Sequence, residues 1–153
     1  MVDAKSTPKA TSTKSGFSAE ERAAMKERTK ELKAEQTREA GQKANTEKIA
    51  EMPPAERAIA ERIVAIVTEV APDLVPKTYY GMPGFARDGG KIVCFFQPAS
   101  KFGVRYSTFG FDQGANLDDA DGMWPTSFAM TKLTAADEKK IATLVKKAAT
   151  EPK

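Results

Sequence analysis

Histidine is absent from all 153 residues, and cysteine and tryptophan occur once each, as Cys94 and Trp124. Without imidazole the chain has no Ser-His-Asp or Cys-His nucleophile pair and no histidine general base. One cysteine builds neither an intramolecular disulfide nor a Cys/His zinc site, and a lone thiol fits a reducing cytoplasm. Any metal would therefore need oxygen ligands, which favours hard cations or iron held by carboxylates. No apolar run approaches the roughly eighteen residues of a membrane span. The opening MVDAKSTPKATSTKSG carries lysines with no apolar segment behind them, which argues against a secretory leader.

An excess of charge of either sign is also lacking. The chain holds 24 Lys/Arg against 21 Asp/Glu, a formal net charge of +3. The surplus lies wholly in residues 1–50, with 11 basic against 8 acidic residues, while residues 51–153 balance at 13 and 13. A dedicated nucleic-acid binder shows a stronger and more clustered excess.

What is present divides into three stretches. Residues 1–16 offer almost nothing to bury and read as a disordered tail. Residues 17–45 read as a charged helical arm. It is opened by Ser18 with Glu21 in a capping box and carries Met25 and Leu32 as its large apolar residues. Gly41 within AGQKANTE reads as a break. Residues 46–150 read as the folded domain. There, EKIAEM stops at Pro53-Pro54, and the next helix sets Ile59, Ile63, Ile66, Val67 and Val70 in one stripe.

After Pro76 the aromatic residues and glycines concentrate. KTYYG and KIVCFFQ read as strands joined across Asp88-Gly89-Gly90, and KIVCFFQ, apolar on both faces, belongs in the middle of a sheet. KFGVRYSTF alternates like a half-exposed strand, with Lys101 and Arg105 on one face. DQGANLDDADGMWPT reads as a loop and SFAMTKL as the last strand. Thr134 with Asp137 caps a final helix striped by Ile141, Leu144, Val145 and Ala148. The order predicts an α+β domain: a small antiparallel sheet packed by an N-terminal helix pair and a C-terminal helix.

Tyr79 to Phe85, YYGMPGF, makes poor core and poor helix. Gly81 and Gly84 around Pro83 suit a sharp reversal of the chain. The aromatics beside it suit the rim of a shallow site, with Tyr80, Met82, Phe85 and Trp124 giving apolar contact. Lys101 or Arg105, with Arg87 nearby, would supply an anionic handle. Asp118, Asp119 and Asp121 form an acidic loop without EF-hand spacing and are the candidate ligands for a weakly held iron or magnesium ion. Glu27, Glu31 and Glu35 add an acidic ridge on the arm.

The segment Tyr80-Gly81-Met82-Pro83 with Phe85, followed by a glycine turn, KIVCFF and a Lys-x-Gly stretch, resembles the YdhG/YdeI-like bacterial domains of unknown function. Some of these are labelled frataxin-like iron chaperones. The similarity runs from about Ile49 to Ala149. It implies a compact α+β domain in the cytoplasm and no assigned reaction. Many relatives have a histidine after the lysine where this chain has Phe102.

Two functions follow as expectations. One is a non-enzymatic binding domain that holds a small ligand or a protein partner at the aromatic rim and needs no cofactor. The other is an iron chaperone using carboxylates. No membrane partner is expected, and the chain is expected to be a monomer or a homodimer.

Overall fold

The computed structural model describes residues 17–88 and 90–151. The expected disordered tail and Gly89 of the expected turn lie outside them. The chain divides into one unit ending at Thr37 and another beginning at Arg38.

The first helix, α1 (Ala19–Ala50), runs through both. Its start is fixed as its sequence demands. Ser18 Oγ accepts from the Glu21 N–H at 3.0 Å, and a Glu21 carboxylate oxygen accepts from the Ser18 N–H at 3.0 Å. Residues 19–37 are exposed throughout, as expected of a helix polar all round.

The expected break at Gly41 is not there. The helix continues because its residues 38–50 are held by tertiary contacts that no local propensity reveals. Arg38 Nη1 donates to the carbonyls of Pro72 (3.2 Å) and Leu74 (3.0 Å). Buried Asn45 donates through Nδ2 to the Gly84 carbonyl (3.0 Å) and accepts from the Gly84 N–H (3.4 Å). Ile49 enters the core. Gly41 sits so close to the chain beneath it that a Cβ there would lie 1.8 Å from the Pro76 carbonyl oxygen.

Helix α2 (Pro54–Val70) begins on Pro54, where a missing N–H costs nothing, and buries Ile59, Ile63, Ile66 and Val67 as the stripe requires. Five strands follow: β1 (Val75–Pro76), β2 (Gly84–Ala86), β3 (Ile92–Gln97), β4 (Ser107–Phe111) and β5 (Ser127–Met130). They pair antiparallel in chain order, β1-β2-β3-β4-β5. KIVCFFQ is thus the middle strand, with Val93, Cys94 and Phe96 fully buried.

Cross-strand partners share a face. Phe85, Cys94 and Phe111 form one row and Phe96, Phe109 and Phe128 another. Both pack into the core with Ile63 and Val67 of α2 and with Ile141 and Val145 of α4 (Ala135–Ala148). Complete burial of a phenylalanine stabilises by about 2–3 kcal/mol; four of the five on this face are buried and Phe128 is half-buried. Thr134 and Asp137 make the expected capping box at the start of α4.

Two strand expectations are corrected. KTYYG is not the strand that joins KIVCFFQ across the Asp88 turn; Gly84–Ala86 is. The alternation in KFGVRYSTF is not a strand until Ser107. Ala99–Phe102 forms a short helix, α3, ended by Gly103 at φ +62°, so Lys101 and Arg105 do not share a strand face. A turn of helix, a left-handed glycine and a bend spread Phe102, Val104 and Tyr106 along an exposed loop, where they are 47, 48 and 39 % accessible.

Candidate functional site

The YYGM segment is a hairpin turn. Tyr79 and Met82 exchange both backbone hydrogen bonds, Tyr79 N–H to Met82 O at 2.8 Å and Met82 N–H to Tyr79 O at 2.9 Å. Between them Tyr80 stands at φ +50° and Gly81 at φ +74°. Positive φ at both central residues is the type I′ turn, whose twist matches the flanking strands. Gly81 adopts that conformation freely. Tyr80 does not: its Cβ crowds the following carbonyl at a cost of about 1–2 kcal/mol. It is the one non-glycine residue at positive φ among the described residues. No burial of its ring compensates, since Tyr80 is 80 % exposed.

From Tyr80 a line of rings leads onto the sheet face opposite the helices. Tyr80 meets Tyr79 edge-on at 4.7 Å between centroids, and Tyr79 meets Phe95 at 5.1 Å. Phe95 can lie flat because its cross-strand neighbour is Gly110; a Cβ there would fall 2.5 Å from the Phe95 ring. The Tyr79 hydroxyl donates to Asp112 Oδ2 at 2.7 Å, which locks the middle ring of the line.

Lys101 completes the arrangement. Its Nζ lies 3.1 Å from the point where a Gly81 Cβ would be, so the glycine both makes the turn and admits the ammonium group against it. The loop that carries Lys101 is anchored at two points. Ser100 Oγ donates to Glu56 Oε1 (2.7 Å), and the Ala99 N–H donates to Ser107 Oγ (3.0 Å). Among the described residues Lys101 makes no ion pair. The site is a line of three rings, exposed at Tyr80 and half-buried at Tyr79 and Phe95, with a lysine at its edge.

Of the residues expected at the rim, the structure brings Lys101 to the turn that carries Tyr80, against Gly81, while the ring its ammonium group lies over is Phe102, at 5.9 Å. Met82 and Phe85 are buried, each at 4 % accessibility, with Phe85 in the core and Met82 outside that cluster. Arg105 is exposed and lies over its own neighbour Tyr106 at 5.2 Å. Trp124 precedes β5 at the end of the sheet opposite the Tyr79–Met82 turn and is half-buried against the core. Arg87 is used elsewhere, on the carbonyls that end α4.

Asp118, Asp119 and Asp121 are exposed, and Asp119 accepts the Asp121 N–H within its own turn. Glu27, Glu31 and Glu35 lie in the other unit of the chain. Among the described residues no three acidic, cysteine or histidine side chains converge on a point that could hold a metal ion. Tyr79, Phe95, Gly110 and Asp112 belong to the site and were not among its expected residues. The legible signal was a phenylalanine and a glycine on successive strands, but register decides whether two such residues face each other.

The Tyr79–Asp112 bond has a pH signature. A hydroxyl that donates to a carboxylate resists ionisation, and this bond raises the Tyr79 pKa above its ordinary value of 10.0. The sign follows: the bond stabilises the fold fully below the ordinary tyrosine range and is lost as pH rises through the higher value. In an alkaline titration of phenolate absorbance, one of the three tyrosines should ionise late, and Asp112→Asn should restore it to the others. Three tyrosines that ionise together in the wild type would mean that the bond is not made in solution. Burial likewise pushes the Cys94 thiol up to about 12, so the lone cysteine is an inert core residue.

Compared with family models, curated proteins and solved structures, the chain matches none.

Proposed function

We propose that the chain is a non-enzymatic binding domain that holds an anionic group, of a small ligand or of a protein partner, at the Tyr79–Met82 turn. The Tyr80 ring provides the apolar contact and Lys101 the counter-charge. One observation carries the reading. A bulky aromatic occupies a turn position where glycine or asparagine is better tolerated, and its ring is left in water. A residue that strains the turn and leaves its ring in water points to a contact outside the fold. The YdhG-like resemblance, which rests on the same Tyr80–Pro83 segment, is in keeping with this reading and adds no reaction to it.

The test separates fold from function through one substitution. Tyr80→Asn places a left-handed-tolerant residue in the turn and should stabilise the domain by about 0.5–1 kcal/mol. The same variant should lose binding of aromatic carboxylates and aromatic phosphates, screened by ligand-observed NMR against the wild type. Lys101→Ala should weaken the anionic probes and leave their neutral amide counterparts unchanged. Equal binding by wild type and Tyr80→Asn would sink the proposal, and a destabilised Tyr80→Asn would show that the tyrosine serves the fold.

A further inference from the structure

The two edges of the sheet are treated differently. On the β1 side, α1 closes against the backbone through Gly41, Arg38 and Asn45. On the β5 side, no strand pairs beyond Ser127–Met130 among the described residues.

The register shows which backbone groups are left open there. The Phe111 N–H donates to the Thr126 carbonyl at 2.7 Å, and the pairing continues through Phe109 with Phe128 and Ser107 with Met130. Hydrogen-bonded pairs alternate along an antiparallel ladder. Thr126, Phe128 and Met130 therefore bond inward to β4, while Ser127 and Ala129 turn their N–H and C=O groups outward. Both residues are exposed.

Beside this edge a groove of about 320 Å³ runs between β5 and α4, with Phe128, Met130, Leu133 and Leu144 among its lining residues. Two cations stand on it. Lys140 Nζ lies 5.0 Å above the Phe128 ring, and Lys132 also lines it. Neither makes an ion pair among the described residues. The one carboxylate in the lining, Asp137, accepts from the Thr134 N–H at 3.1 Å and faces the two lysines only at longer range, one negative charge against two positive.

We propose that the β5 edge receives an extended acidic segment of a partner protein as a sixth strand. Its backbone pairs with Ser127 and Ala129. Apolar side chains at alternate positions enter the groove, and flanking carboxylates meet Lys132 and Lys140. Charge selects this occupant over a second copy of the chain. Two β5 edges paired about a twofold axis would bring both sets of lysines to one seam, with only the two Asp137 carboxylates to offset them.

The experiment uses the full chain and amide NMR titrations with blocked peptides in which Glu alternates with Val, Leu or Phe. The lysine counterparts serve as controls. The acidic peptides should shift the amides of Ser127–Met130 and of residues lining the groove. Ala129→Pro removes an outward N–H and leaves the β4 ladder whole, so it should abolish the shifts in a folded protein. Lys132→Glu with Lys140→Glu should weaken binding by about tenfold and serves independently of the proline variant. Tyr80→Asn should change nothing, which keeps this surface distinct from the turn site.

Shifts elsewhere, equal binding of the lysine peptides, or binding that survives Ala129→Pro would overturn the proposal. So would a peptide-free dimer in sedimentation that Ala129→Pro dissociates, since the edge would then belong to a second copy.

Discussion

Gly41→Ala should destabilise the domain, although it replaces the poorest ordinary helix former with the best. On propensity alone the change gains about 1 kcal/mol in a helix interior. Here the added methyl would meet the Pro76 carbonyl, with its Cβ 1.8 Å from the oxygen and 2.7 Å from the carbon. Both are backbone atoms of a buried residue in the sheet, so neither can swing aside as a flexible side chain would.

Relief requires α1 to lift from β1. That strains the paired hydrogen bonds of Asn45 to Gly84 and the reach of Arg38 to the Pro72 and Leu74 carbonyls. Overpacking together with a weakened buried polar pair should cost about 2–4 kcal/mol net. Denaturant unfolding should show the loss as a lower midpoint at unchanged slope. A stabilised Gly41→Ala would mean that residues 38–50 are not seated on the sheet in solution.

Arg87→Ala should lose about 2–4 kcal/mol, from a position that looks like an ordinary surface arginine beside a hairpin. Its side chain is 17 % exposed, and the guanidinium donates to four carbonyls: Gly114 (2.6 Å), Ala148 (3.0 Å), Ala149 (3.2 Å) and Thr150 (2.7 Å). Three of these lie at the end of α4, where the last carbonyls have no partner within the helix and the helix dipole favours a cation. The Ala148 carbonyl keeps the Asn116 N–H at 2.8 Å, but removing the arginine takes the donor from Gly114, Ala149 and Thr150, which is the costly way to lose a hydrogen bond. The Glu151 carboxylate, 4.0 Å away and 90 % exposed, adds little to the balance.

Arg87→Lys should recover less than half of the loss, because an ammonium group cannot fork to carbonyls on two segments. A cost below about 0.5 kcal/mol, the range of ordinary surface substitutions, would show that the clamp between the hairpin and α4 does not form. Arg87→Ala should also leave the Tyr80 and β5 surfaces intact in the fraction that stays folded.

The features legible in the sequence were those whose cause is local. The stripe of Ile59, Ile63, Ile66 and Val67 buries one face of α2 because 3.6 residues make a turn, and Ile141 and Val145 do the same for α4. Ser18 with Glu21 and Thr134 with Asp137 cap their helices because each pair closes its bonds within one turn. The centrality of KIVCFFQ could be read from its having no polar face. The misreadings have the opposite origin. Gly41 looked like a helix break because its reason is the Pro76 carbonyl, remote in sequence. Phe102, Val104 and Tyr106 alternate like a strand, yet Gly103 takes a left-handed conformation that ends a helical turn between them.

The candidate site divides along the same line. That YYGMPGF reverses the chain, and that its tyrosines have no place in a core, follow from the residues themselves. Whether Met82 and Phe85 point inward, whether Lys101 reaches Gly81, and whether Trp124 or Phe95 keeps company with Tyr79 depend on register. A shift of one residue moves a strand's side chains to the other face. The amino-acid sequence by itself determined the α+β class, the helix stripes, the caps and the position of the reversal, all set by periodicity and bonds within a few residues. The tertiary structure alone decided which edge of the sheet is closed, where Arg87 spends its donors, and which ring stands beside a cation, because those outcomes turn on backbone groups brought together from distant parts of the chain.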